Sequence, residues 1–128
     1  MPAINGVCVG VDVGSVRVGV AVSDPAGILA TPWRTLRRGQ GDLDAIVELV
    51  AERAAAGVVV GLPMTLAGRS GPAVQEARAY AELLRERIDP VPVHLYDERF
   101  TTSTASRDLS RRGISTRAQR AIIDQAAA

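Results

Sequence analysis

One aspartate, Asp12, lies in the most apolar stretch of the chain, VCVGVDVGSVRVGVAVSD. Valine recurs at every second position from Val7 to Val13, which predicts a β-strand with one valine face. Asp12 shares the other face with small residues only: Cys8, Gly10 and Gly14. A buried carboxylate normally needs a partner or a metal ion, and the small residues leave room for a ligand. The alternative is a strand-end residue that forms a salt bridge with a nearby arginine.

Two further acids follow apolar segments. Glu98 comes just after the run His94–Tyr96, at the mouth of a predicted strand. Asp124 lies among small and apolar residues on a predicted final helix. By spacing alone Glu98 is an ordinary loop acid, and Asp124 could equally be a surface acid. Three carboxylates that converge without His or Cys ligands would select Mg²⁺ or Mn²⁺. Two such ions, roughly 4 Å apart, can support an in-line displacement at phosphorus.

The first third of the chain predicts three consecutive strands. Gly14 and Ser15 separate the first valine run from a second, so that the two runs predict a hairpin. A weaker third strand follows a turn at Asp24, and Pro32 favours an edge or irregular position for it. The predicted second and third strands are Val16–Val22 and Ile28–Leu36.

Helices and strands alternate in the remainder. Apolar residues at helical spacing predict a helix from Leu43 to Ala54 that Gly57 stops. Thr101 or Thr102 would cap a third helix, and Ser115 or Thr116 a last one. The other predicted elements are strands at Val58–Leu62 and Val91–Tyr96 and a helix near Ala73–Ile88.

This order predicts an α/β fold: a mixed five-stranded sheet flanked by helices. A three-strand antiparallel meander would be joined by two parallel strands. Ligands of such sheets collect at the carboxyl ends of the parallel strands. Three features are expected at that edge: Asp12, the loop Gly61–Pro63 and the segment Asp97–Arg99.

Length and composition fit one domain, 1–128, with an apolar fraction of 47%. The sequence has no membrane-spanning apolar run, so a cytoplasmic location is expected. One cysteine and one histidine cannot form a structural zinc site. Cys8 is expected to be a small core residue, with a crosslink between two chains as the alternative.

Basic residues are concentrated near the C-terminal end, although the formal net charge is only +1. The segment from Arg99 to Arg120 contains six arginines and a single acidic residue, Asp108. This segregation favours a surface that meets phosphates, and a solvated helix face is the equal alternative. With an aromatic content of 3%, base stacking along a single strand has little support.

Four motifs together resemble a known family. GVDVGSVRVGVAVSD, VGLPMTLAGRSGP, YDERFTT and IIDQAAA occur in the order and approximate spacing of the RuvX/YqgF family. That resemblance implies a ribonuclease H-like fold and a metal-dependent nuclease, described as Holliday-junction resolvase-like and as acting on pre-16S ribosomal RNA. It also implies that Asp12, Glu98 and Asp124 are the catalytic, metal-binding residues, and that Asp12 and Asp124 come together in space.

Candidate nucleic-acid contacts follow the second acid along the chain. The threonines among them are helix caps first and backbone contacts second, and a charged helix end equally explains Arg111 and Arg112. Arginine and hydroxyl side chains are the usual phosphate contacts. The predicted contact residues are Arg99, Thr101, Thr102, Arg111, Arg112, Arg117 and Arg120.

The leading hypothesis is therefore an endonuclease that processes the 5′ end of pre-16S rRNA. Resolution of branched DNA is the alternative within the same chemistry, and it would require two active sites and hence a homodimer. A nucleotide-binding ATPase domain, suggested by Asp12, Gly14 and Gly19, would need a second lobe. A non-catalytic nucleic-acid-binding module is the third possibility, and the acid triad argues against it.

Overall fold

The computed structural model describes residues 6–26, 29–63, 71–97 and 122. Its strands form one five-stranded sheet, in which the first three are antiparallel and the last two run parallel to the first. This confirms the predicted mixed sheet. The elements in chain order are β1 (Cys8–Val13), β2 (Arg17–Ser23), β3 (Ala30–Arg37), α1 (Asp42–Glu52), β4 (Gly57–Leu62), α2 (Pro72–Ile88) and β5 (Val93–Asp97). Across the sheet the strands follow the order β3-β2-β1-β4-β5.

The β3 strand lies at the edge of the sheet, as Pro32 predicted. Its register with β2 shifts between Val20 and Ala21, so that Arg34 pairs with Val20 and Pro32 with Ala21. Proline has no backbone N–H for the ladder, and an edge strand with a bulge accommodates it.

Some predicted boundaries were wrong. The α1 helix ends at Glu52, because Ala54 adopts a left-handed conformation (φ 48°) and the Ala55 N–H donates to the Val50 carbonyl at 3.0 Å. Gly57 therefore opens β4 instead of stopping the helix. Val16 lies in the hairpin loop, 54% exposed, and not on β2.

The fifth strand also begins later than predicted. The Val91 N–H donates to the Ile88 carbonyl at 2.8 Å, in the turn that follows α2. Pairing with β4 starts only at Val93, opposite Val58. The hydrogen-bonded turn holds Val91 outside the ladder, so β5 starts two residues after the predicted position.

Helices α1 and α2 cover one face of the sheet. The α2 helix buries Val74, Ala77, Ala81, Leu84 and Ile88, the stripe that its periodicity predicts. These side chains pack against the valine faces of β1, β2 and β4. Each large apolar side chain buried in this way contributes roughly 1.5–3 kcal/mol. In the described part of the chain, neither helix is long and apolar enough to cross a membrane.

A smaller cluster covers the opposite face of the sheet. It joins Cys8, Ala21 and Val59 to Ile122, which is helical and 2% exposed. Ile122 belongs to the predicted last helix, whose other residues lie outside the described part, as does the predicted third helix. The Asp12 face of β1 therefore packs against a segment near the C-terminal end of the chain.

Candidate active site

Asp12 is the fifth of the six residues of β1 and is 3% exposed. Valines on either side of it in sequence point into the core under the helices, and the Asp12 carboxylate lies on the other face. Its direct partner on β2 is Gly19. On the β4 side, Gly61 follows the Val11–Val60 pair in register.

Glycines thus surround this carboxylate along and across the sheet. Gly10 precedes Asp12 by two residues on its own strand, and Gly14 follows it by two. A glycine has no Cβ, so the nearest positions on β1, β2 and β4 place no side chain beside the carboxylate. The sequence predicted Gly10 and Gly14 as neighbours, whereas Gly19 and Gly61 required the strand register.

The carboxyl ends of β1, β4 and β5 meet at one edge. Gly61 pairs with Tyr96 and Leu62 with Asp97, the last residue of β5. The expectation that Asp12, the Gly61–Pro63 loop and Asp97 share an edge is therefore confirmed for the described residues. Ligands of mixed and parallel sheets bind at this edge.

Two further side chains share the Asp12 face. His94 pairs with Val59, which belongs to the cluster on that face, and is half-buried. Tyr96, two residues later, packs against the same cluster. Alternation along β5 is the sequence signal that assigns His94 to this face.

Most of the predicted site residues lie outside the described part of the chain. Among the residues that the structure describes, no group of three His, Cys, Asp or Glu side chains could hold a metal ion. The buried Asp12 carboxylate itself has the hard oxygen donors that Mg²⁺ and Mn²⁺ prefer. The residues outside the described part are Glu98, Arg99, Thr101, Thr102, Arg111, Arg112, Arg117, Arg120 and Asp124.

A second buried carboxylate, Asp42, has a structural role. Its Oδ2 accepts a hydrogen bond from the Tyr80 hydroxyl at 2.7 Å, and its Oδ1 accepts one from the Gly39 N–H at 2.8 Å. Burial, together with the hydrogen bond to Asp42 and its charge, raises the pKa of Tyr80. Sequence reasoning missed this contact because its partners are 38 residues apart.

An open groove of about 370 Å³ lies at the other end of the sheet, between β3 and the end of α1. Ser23, in its wall, accepts a hydrogen bond from the Cys8 N–H at the start of β1. Asp12 is four residues further along that strand, or roughly 13 Å. The groove is therefore separate from the carboxylate site.

Comparison with known families identifies the chain. Residues 6–128 match the family described as "RuvX: Holliday junction resolvase". The chain belongs to the RuvX family. This confirms the resemblance that the four sequence motifs indicated.

Relatives with curated names agree with this assignment. A Frankia casuarinae protein named "Putative pre-16S rRNA nuclease" is 56% identical over 123 residues, which are 94% of this chain and 61% of that protein. A Rhodococcus opacus protein of the same name is 51% identical over 126 residues, covering 94% of this chain and 71% of its own length. The chain thus spans less than two thirds of the Frankia relative.

Solved structures share the fold of this RuvX chain. "T. thermophilus RuvC in complex with Holliday junction substrate" superposes with a TM-score of 0.64 at 14% identity, covering 92% of this chain and 90% of that one. "Thermus thermophilus RuvC structure" gives 0.63 at 12% identity, covering 91% of each. At these identities the likeness shows the fold alone, which is ribonuclease H-like as predicted.

Proposed function

We propose that this chain is a metal-dependent endonuclease that hydrolyses phosphodiester bonds in structured nucleic acid. The observation that carries the proposal is the buried carboxylate of Asp12 at the carboxyl edge of a RuvX-family sheet. Carboxylate oxygens are ligands that a hard divalent cation prefers, and a cation held there could also contact a phosphate. Because the curated relatives carry the name "Putative pre-16S rRNA nuclease", the proposed substrate is that precursor RNA, and processing of its 5′ end remains the expectation from the sequence.

The proposed catalytic residues are Asp12, Glu98 and Asp124. Glu98 directly follows Asp97, which ends β5 at the same edge as Asp12. Asp124 follows Ile122 by two residues, so their Cα atoms are within roughly 7 Å of each other. Ile122 packs on the sheet face that carries Asp12. Asp97 supports a position of Glu98 near the Asp12 edge, and Ile122 supports only a nearby course of the chain at Asp124. The convergence of Asp124 with the other two acids rests on the family resemblance.

These three acids fit a hard divalent cation, because each supplies carboxylate oxygens. Bound Mg²⁺ or Mn²⁺, in a one- or two-ion site, would supply an activated water and charge stabilisation for the leaving oxygen. The backbone would hold the Asp12 carboxylate in a fixed position. Asp12 pairs with Gly19 on β2, and its neighbour Val11 pairs with Val60 on β4. A rigid strand is better suited to this task than a loop.

The predicted nucleic-acid contacts extend this proposal along the chain from Glu98. Arg99 is adjacent to one proposed catalytic acid, and Arg120 precedes Asp124 by four residues. Guanidinium groups there would bind phosphates on both sides of the scissile bond. Thr101, Thr102, Arg111, Arg112 and Arg117 complete the proposed contact set, and a cytoplasmic location remains the prediction.

Resolution of branched DNA is the second candidate, favoured by the description of the family as Holliday junction resolvase. It requires two coordinated cuts and therefore a homodimer with two active sites. Sedimentation with and without a four-way junction distinguishes the candidates, because processing of one RNA strand needs a single site. A dimer that forms on the junction would support resolution.

Cleavage of two labelled substrates tests the proposal directly. Precursor 16S rRNA and a four-way DNA junction are incubated side by side with Mg²⁺ or Mn²⁺, with wild type, Asp12→Asn and Glu98→Gln. We expect wild type to cut the RNA, and each variant to lose at least about 100-fold in rate. If wild type cuts neither substrate, or if both variants cut as well as wild type, the proposal fails and a binding module is the better explanation.

A further inference from the structure

Two arginines lie opposite each other at the end of the sheet where β2 begins and β3 ends. Arg17 opens β2, and its register partner on β3 is Arg37. Both side chains are exposed. Like charges directly opposite each other destabilise a sheet. An anion bound to both arginines would offset this repulsion.

Neither arginine is neutralised by a carboxylate among the described residues. The salt bridges there involve other arginines: Arg38 with Glu76 at 3.2 Å, and Arg85 and Arg87 with acids on the helices. Arg34, the remaining arginine on β3, stacks on the Trp33 ring with its guanidinium 4.5 Å from the ring centroid. Arg17 and Arg37 thus present two positive charges to an external anion.

Strand alternation places this pair on the Asp12 face. The next residues inward, Val18 and Leu36, pair with each other and pack into the core under α1 and α2. Arg17 and Arg37 therefore project to the opposite side of the sheet, where Asp12 lies. Asp12, Gly19 and Thr35 lie opposite one another across β1, β2 and β3. Arg17 and Arg37 lie two residues away from Gly19 and Thr35 on the same face, toward the carboxyl end of β1.

The spacing suits contact with one nucleic-acid strand. Strand separation and rise place the Cα atoms of Arg17 and Arg37 about 8 Å and about 12 Å from that of Asp12. The intervening position is Gly19, which has no side chain to obstruct a ligand. Successive phosphates of a strand that passes Asp12 would then lie within reach of both guanidinium groups.

Hydrogen bonds hold this corner of the sheet in place. The Gly14 N–H donates to the Arg17 carbonyl at 2.8 Å, and the Arg38 N–H donates to the Val16 carbonyl at 2.8 Å. The Arg38 guanidinium also donates to the Gly14 carbonyl at 3.1 Å. Arg38 therefore stabilises the hairpin loop, while Arg17 and Arg37 remain available on a fixed backbone.

We propose that Arg17 and Arg37 form a phosphate-binding pair that holds the RNA strand on the Asp12 face of the sheet. The inference rests on the proposed function, and it adds contacts from the N-terminal meander to those predicted near the C-terminal end. Arginine binds phosphate through paired N–H donors and keeps its charge at every working pH. The pair would position the strand without taking part in bond cleavage.

Binding of labelled precursor 16S rRNA tests the pair. The full chain carries Asp12→Asn to prevent cleavage, and its affinity is measured by fluorescence anisotropy over a range of salt concentrations. Arg17→Gln/Arg37→Gln is compared with Arg53→Gln/Arg78→Gln, two exposed arginines on the helical layer that remove the same charge. We expect the first double variant to bind at least 10-fold more weakly, with a log–log salt slope lower by roughly 1.4, about 0.7 per phosphate contact. The control should stay within twofold of its parent.

Measurements of melting temperature and of wild-type cleavage distinguish failure of the phosphate pair from unfolding of the variant and from failure of the nuclease proposal. Loss of a like-charge pair should leave the melting temperature of the first double variant unchanged or raised, so weaker binding cannot be attributed to unfolding. Equal affinity and equal salt slope in the two double variants would overturn the phosphate pair. Cleavage by wild type would still support the nuclease in that case. Conversely, arginine-dependent binding without cleavage by wild type would support the pair and contradict the nuclease.

Discussion

Cys8 and Asp12 lie on the same face of β1, four residues apart, in different surroundings. Cys8 is 3% exposed and packs with Ala21, Val59 and Ile122. This burial raises the pKa of the thiol to about 12. The thiol therefore stays protonated at neutral pH and has little nucleophilic character. Of the two roles that the sequence left open, the structure confirms the core residue.

Thiol labelling measures this protection. We expect Ellman's reagent at pH 8 to react with native Cys8 at least about 100-fold more slowly than with the chain in urea, because both access and thiolate content are low. The urea-unfolded chain is the internal control, since it contains the same single cysteine. Equal rates in the two states would show that the cluster over Cys8 is open in solution.

At the scale of elements, Ile122 is the residue of the predicted last helix that the structure describes, and it packs on the sheet. Ile122→Ala should cost about 2–5 kcal/mol in the free energy of unfolding, because it leaves a cavity over Cys8, Ala21 and Val59. It should also speed the labelling of Cys8. Leu83→Ala on α2 is the matched control, since Leu83 is 48% exposed and should change stability by less than about 0.5 kcal/mol.

Urea denaturation measures both of these variants. If Ile122→Ala lowers the free energy of unfolding as little as Leu83→Ala does, the contact of Ile122 with the sheet contributes nothing to stability. Faster labelling of Cys8 without a stability loss would mean that the segment detaches locally.

The contact between Asp42 and Tyr80 joins α1 to α2. Tyr80→Phe should cost about 1–3 kcal/mol, because the buried Asp42 carboxylate loses a hydrogen-bond donor. Asp44→Asn is the control, because Asp44 lies on the same helix in an exposed ion pair with Arg87 and should matter by at most about 1 kcal/mol. Chemical denaturation at pH 7 compares them, and a Tyr80→Phe variant as stable as wild type would contradict the expectation.

The same contact makes stability depend on alkaline pH. The pKa of Tyr80 is raised in the folded state, so its stabilisation is fully present below the unfolded pKa of about 10 and is lost as pH rises above it. Above pH 10, the free energy of unfolding of wild type should fall by up to about 1.4 kcal/mol per pH unit more than that of Tyr80→Phe. Parallel pH profiles for the two proteins would show that Tyr80 titrates normally.

Local sequence patterns predicted most of these elements because each pattern has one structural period. Valine alternation predicted the hairpin, and Pro32 predicted an edge or irregular position for β3, which lies at the edge of the sheet. The end of α1 was missed because Ala54, which is not a glycine, adopts a positive φ. The Asp42–Tyr80 contact was missed because tertiary packing alone brings its partners together.

At the scale of the whole molecule, the sheet separates a helical layer from the face that carries Asp12. The apolar surroundings of Asp12 in the sequence predicted this carboxylate as a site residue. The structure confirms that it is buried and lies at the edge where the carboxyl ends of β1, β4 and β5 meet. Glu98 and Asp124 remain predictions. Residue spacing could not relate Asp12 to Asp124, 112 residues away, because only the topology of the fold and the family resemblance bear on that pair.

Thermal unfolding with added metal tests whether Asp12 belongs to a cation site in the intact fold. Mn²⁺ at about 100 times its Kd should stabilise wild type by about 2.7 kcal/mol, which raises the melting temperature by roughly 5 °C or more. Asp12→Asn should remove this shift because it removes an anionic ligand, whereas the exposed Asp44→Asn should retain it. An equal shift in Asp12→Asn would locate the bound metal elsewhere. No shift in any protein, with a loss of stability in Asp12→Asn alone, would instead support the alternative in which Asp12 forms a structural salt bridge.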